Sequence, residues 1–162
     1  MEIHQTTARS EITAPPRRVW ELVTDITLMP QFSPELQRVE WTGGADGPFL
    51  GARFTGVNQN PAIGEWTTMS TVIEFEPPRL FAWAVGDPQN PAATWRFDIE
   101  PAPAGSVVRY TAQIGPGPSG VTMLIEQEPG RAAEIVARRL ADLSAAMSVT
   151  LAGIGALAEG AG

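Results

Sequence analysis

From Leu36 to Ile114 apolar and polar positions repeatedly alternate with a period of two, most cleanly over Ala93 to Glu100. There Trp95, Phe97 and Ile99 alternate with Arg96, Asp98 and Glu100. Successive side chains of a strand point to opposite faces, so this pattern predicts a half-buried strand. The same reading predicts strands over Leu36 to Trp41, Ala52 to Asn58, Trp66 to Glu76, Leu80 to Val85 and Val107 to Ile114. Gly43-Gly44, Asp46-Gly47-Pro48 and Ala104-Gly105 supply turns between them, and the stop and restart at Pro77-Pro78 predicts antiparallel neighbours. A further strand opens the chain over His4 to Thr13, with Ala8, Ser10 and Ile12 on one face and Arg9, Glu11 and Thr13 on the other.

Elsewhere the period changes to that of a helix. Pro15 to Asp25 carries Val19, Trp20 and Val23 at helical spacing, with proline tolerated in its first turn. Thr27 to Glu35 is interrupted by Pro30 and Pro34 and is expected to be a turn or two ending in loop. Near the C-terminus Val136, Leu140, Leu143, Met147, Leu151, Ile154 and Leu157 form one apolar stripe at spacings of three and four. A shorter apolar piece, Val121 to Gln127, precedes it and is separated by Pro129-Gly130, which should break or kink the helix. No internal repeat or low-complexity stretch divides the chain, so 1–162 is expected to be a single domain. Strands and helices segregate rather than alternate, which is α+β organisation.

A strand, two short helices, six strands and a long closing helix form a recognisable order. The residues that fill it begin with Ile12-Thr13-Ala14-Pro15, Val19-Trp20 and Asp25, then Gly51-Ala52-Arg53-Phe54 and Trp66. Val72-Ile73-Glu74, Glu76-Pro77, Phe81-Ala82-Trp83, Trp95-Arg96-Phe97 and Val108 continue it. Over nearly its whole length the chain resembles the helix-grip superfamily. That superfamily includes START lipid-transfer domains, birch-pollen-allergen-like proteins and the polyketide cyclase/dehydrase family. The resemblance implies a curved seven-stranded antiparallel sheet wrapped around the C-terminal helix. It does not by itself imply an activity, because one fold hosts carriers, cyclases, receptors and co-chaperone modules.

In such a fold the concave sheet face and the closing helix can enclose a mostly apolar pocket. Alternation assigns the inward set: Phe54, Gly56 and Asn58, then Trp66, Thr68, Ser70 and Val72, then Phe81, Trp83 and Val85. Trp95, Phe97, Val108, Tyr110 and Ala112 complete the sheet, and Leu140, Leu143, Met147 and Leu151 face it from the helix. Asn58, Thr68, Ser70 and Tyr110 are polar groups among aromatics. An unsatisfied buried polar group costs about 1–3 kcal/mol, so these four either bond within the protein or face a cavity. Access to a pocket would fall to the loop Asn58 to Gly64 or to Gly115 to Gly130. In the latter, Val121, Met123, Leu124 and Ile125 could form a lid hinged at Pro129-Gly130, or simply begin the closing helix.

Composition narrows the chemistry. There is no cysteine in the 162 residues, which excludes disulfides, thiol nucleophiles and thiolate metal sites. His4 is the sole histidine and lies at a chain end, so neither a metal site nor a Ser–His pair is expected. Glu74 with Glu76, Asp98 with Glu100, and Glu126 with Glu128 read as solvated charges, with Glu128 near Arg131. Arg53, Arg96 and Arg109 point outward by alternation, so no cation is placed in the pocket. Gly115-Pro116-Gly117-Pro118-Ser119-Gly120 lacks the Gly-Lys-Ser/Thr ending of a phosphate loop. The net charge of −7 opposes nucleic-acid binding. Met1-Glu2-Ile3-His4-Gln5 resembles no secretory leader and no uninterrupted apolar run suggests a membrane span, so a cytoplasmic protein is expected.

These observations support a carrier or receptor for a small hydrophobic molecule, without a cofactor, working as a monomer or homodimer. A cyclase/aromatase-type enzyme, in which the cavity positions a reactive chain, is the first alternative. A protein-interaction module with a closed interior is the second.

Overall fold

The computed structural model describes residues 3–160; Met1, Glu2, Ala161 and Gly162, which belong to the N-terminal stretch and the domain span read above, lie outside the described residues. Seven strands form one sheet: β1 (His4–Ile12), β2 (Leu36–Thr42), β3 (Arg53–Asn60), β4 (Gly64–Glu76), β5 (Leu80–Asp87), β6 (Asn90–Ala102) and β7 (Gly105–Ile114). Their order is β1-β7-β6-β5-β4-β3-β2, and every pairing is antiparallel. Between β1 and β2 lie helix α1 (Pro16–Val23) and a 3-10 turn, Ile26–Gln31. Helix α2 (Gly120–Gln127) is separated from the long α3 (Ala132–Gly160) by a 3-10 turn at Pro129–Arg131, where the sequence places its helix breaker.

Register carries the alternating pattern onto one face. Trp83 lies opposite Trp95 and Phe81 opposite Phe97, while on the next ladder Phe97 lies opposite Tyr110. A bulge in β4 between Val72 and Glu74 resets the alternation. It leaves Ile73 exposed and turns Phe75 inward, where its ring meets Trp20 at 5.3 Å.

Helix α3 closes the sheet through Leu143, Met147, Thr150, Leu151, Ile154, Gly155 and Ala158. The predicted stripe differs at its end, because Leu157 is 37% exposed and small residues face the protein instead. Close approach to β1 and to the loop after the 3-10 turn explains this. A Cβ on Gly155 would stand 3.6 Å from Ile12, and one on Gly153 would overlap the Phe32 ring at 2.2 Å. Pro129–Gly160 is long and apolar enough, by composition, to cross a membrane. Of its large apolar side chains Leu143, Met147, Leu151 and Ile154 are buried against the sheet, while Val149 and Leu157 are exposed.

Candidate functional site

A cavity of about 340 Å³, partly open to solvent, lies between the inner sheet face and α3. Twelve residues expected to face inward line it: Phe54, Gly56 and Asn58 from β3, Trp66, Thr68 and Ser70 from β4, Trp83, Val85, Trp95 and Tyr110 from β5 to β7, and Leu143 and Met147 from α3. Their rings form a continuous wall. Trp83 and Trp95 stack with centroids 6.2 Å apart and planes at 12°, and Tyr110 lies 5.5 Å from Trp95. Phe54 meets Trp83 edge-on at 5.9 Å.

Phe81, Phe97 and Met123 stand elsewhere, and Val72, Val108, Ala112 and Leu151 are buried core. Phe81 and Phe97 point inward but are wholly buried behind the wall, Phe81 between Trp20 and Trp83 and Phe97 against the Tyr110 ring at 3.9 Å. They are core rather than lining. Met123 is 43% exposed, because the helix turns about 200° between Val121, which lines the cavity, and Met123 two residues on. The lid residue facing the cavity is Val121.

The polar positions resolve in a similar way. Neither the Ser70 nor the Tyr110 hydroxyl has a hydrogen-bond partner among the described residues, and neither is a sealed unsatisfied group, so both open onto the cavity. Burial pushes the Tyr110 hydroxyl well above its ordinary pKa, so it stays protonated and can donate. Thr150 is satisfied through Ala146 O, one helical turn back, at 3.0 Å.

The sequence reading placed no cation in the pocket, and the structure corrects it: Arg139 and Glu35 both line the wall. Arg139 Nη2 donates to Glu35 Oε1 at 2.9 Å and Nη1 donates to Oε2, while Asn60 Nδ2 also donates to Glu35 Oε2 at 2.8 Å. The two charged side chains are only 14% and 18% exposed. Arg139 was legible, because it precedes Leu143 by four residues and so shares its helix face. Glu35 carried no such signal. By contrast Arg96 and Arg109 lie on the outer face in ion pairs with Glu74 and Asp98, and with Glu100. No three His, Cys, Asp or Glu side chains converge as metal ligands among the described residues.

The rim is held more firmly than a flexible linker would be. Gly115 N donates to Ala92 O and Gly117 N to Pro91 O, each at 2.9 Å, so this loop is tied to the β5–β6 hairpin. Ile63, on the β3–β4 turn, packs onto Gly120, where an added Cβ would come within 2.5 Å of it. The two segments expected to control access therefore touch.

No curated protein matches the chain in sequence. Among solved structures, a polyketide-cyclase-like protein of Corynebacterium glutamicum is 29% identical with a TM-score of 0.67, over 95% of this chain and 90% of that one. The Zhui aromatase/cyclase of a Streptomyces species has the same fold at 17% identity and a TM-score of 0.74, over 99% of both chains. The di-domain ARO/CYC StfQ of the steffimycin pathway is 17% identical with a TM-score of 0.73, over 98% of this chain and 52% of that one. Residues 4–150 match the profile of the family described as polyketide cyclase / dehydrase and lipid transport. The long closing helix and the sheet order agree with that match, and the chain belongs to this family.

Proposed function

We propose that the chain, acting as one unit over 1–162, binds a small hydrophobic molecule in this cavity as a carrier or receptor. One observation carries the reading: an aromatic-walled space of about 340 Å³ onto which the Ser70 and Tyr110 hydroxyls open without partners among the described residues. Binding sites for small molecules have this build, with apolar walls and a few placed polar groups. The volume counts against the interaction-module reading, which needs a closed interior. Titration with Nile red, a neutral apolar dye, tests the proposal. Saturable binding at low micromolar dye, with quenching of tryptophan emission and displacement by a polycyclic aromatic, is expected; no binding by the folded protein would reject it.

Tyr110 favours a second reading, an aromatase/cyclase-type enzyme. Its buried, protonated hydroxyl could donate to a carbonyl oxygen as that oxygen gains charge in a ring closure. Turnover of a poly-ketone mimic by the protein, lost in Tyr110→Phe while dye binding is kept, would favour the enzyme over the carrier.

A further inference from the structure

Of the ion pairs among the described residues, Arg139–Glu35 is the one with both side chains largely withdrawn from solvent, and it is part of the cavity wall. An isolated arginine in an apolar pocket would select a carboxylate, because its planar fork matches the two oxygens. Here that fork is already taken by Glu35, which bonds to both guanidinium nitrogens. Glu35 is itself held from three sides. Asn60 binds its carboxylate, Ser33 Oγ accepts its backbone N–H at 3.3 Å, and its carbonyl accepts from Gln59 N at 2.9 Å. Glu35 thus occupies the place a ligand carboxylate would take.

A carboxylate ligand entering this end would have to displace Glu35 and leave it charged without its partner, or sit beside it as a like charge. A hydroxyl or carbonyl meets neither obstacle. It can use guanidinium N–H groups that Glu35 leaves free, or the Asn58 amide on the same wall. We infer that the cavity selects neutral amphiphiles, such as long-chain alcohols and ketones, over carboxylates, and that Glu35 is the residue that sets this selectivity. The inference rests on the ligand-binding reading and goes further by naming the ligand class and the residue that excludes its rivals.

The test is displacement of Nile red at pH 8 by 1-decanol and by decanoate, which share a chain and differ in head group. The unaltered protein is expected to prefer decanol by about tenfold or more. In Glu35→Gln the charge that blocks the fork is gone, and decanoate should gain about tenfold relative to decanol. Adding Arg139→Gln to that variant should abolish the gain, which a merely structural role for Glu35 would not do. Equal displacement by both molecules from the unaltered protein would overturn the inference, as would an unchanged ratio in a folded Glu35→Gln. The first comparison needs no variant and so stands even if Glu35→Gln fails to fold. Nile red binding without discrimination defeats the selectivity alone, whereas failure of Nile red to bind defeats the ligand-binding reading and this inference with it.

Discussion

The rings of Phe97 and Tyr110 lie directly across neighbouring strands, 3.9 Å apart and within 8° of parallel. Phe97 is fully enclosed, whereas Tyr110 presents its hydroxyl to the cavity. The stack is therefore the boundary between core and site. Phe97→Ala should cost about 3–5 kcal/mol of unfolding free energy. Tyr110→Phe should cost less than about 1 kcal/mol, since the lost hydroxyl has no partner among the described residues. Chemical denaturation of both variants checks the contrast.

Tyr110 is the only tyrosine in the chain, which makes its titration directly observable. Burial raises its folded-state pKa above the ordinary value near 10, so above that pH the unfolded chain loses a proton that the folded chain keeps. Stability should then be unaffected by this group below about pH 10 and fall above it, by up to about 1.4 kcal/mol per pH unit. Tyrosinate absorbance at 295 nm should rise only as the protein unfolds. A reversible rise in the folded protein near pH 10 would show an open, solvated hydroxyl.

Gly153 and Gly155 sit two residues apart in α3 and should respond to alanine with opposite signs. Alanine is the better helix former by about 1 kcal/mol, and at Gly155 its Cβ would meet Ile12 at an ordinary 3.6 Å. Gly155→Ala should therefore raise the melting temperature. At Gly153 the Cβ would overlap the rigid Phe32 ring at 2.2 Å, and the overpacking cost of about 1–3 kcal/mol outweighs the propensity gain. Gly153→Ala should lower the melting temperature.

Helix α2 is fixed at its start by a capping box, in which Ser119 Oγ accepts from Thr122 N and Thr122 Oγ1 accepts from Ser119 N. Ser119→Ala should lower the local opening free energy of residues 120–127 by about 1 kcal/mol, read by amide hydrogen exchange. If α2 is the lid, a bound hydrophobe such as Nile red should restore the protection. Exchange equal to that of Leu143 to Leu151 and indifferent to the dye would reject the lid.

Where one physical rule decided the outcome, the residues were readable in advance. Alternation alone puts Trp83, Trp95 and Tyr110 on the face that walls the cavity, and the 3.6-residue period puts Leu143 and Met147 opposite them. It could not separate Phe81 and Phe97 from that wall, because core and lining share one strand face and differ only in what lies beyond them. The β4 bulge is invisible to a period-2 reading, so the inward turn of Phe75 was missed. Leu157 was misplaced because a hydrophobic stripe ranks leucine above Ala158, whereas the closeness of β1 to α3 favours the smaller side chain. The Glu35–Arg139 pair spans 104 positions of sequence, a separation that no local pattern can encode.

The sheet ends at β1 and β2, and neither margin presents an apolar ribbon to solution. Gln5, Thr7, Arg9 and Glu11 are exposed along one, and Gln37, Arg38 and Glu40 along the other. A strand arriving from a second molecule would have to strip water from those charges before gaining any backbone hydrogen bond. Even in crowded solution, then, the sheet has no margin suited to templating fibril growth, although nearly half the chain is β-structure by its strand lengths.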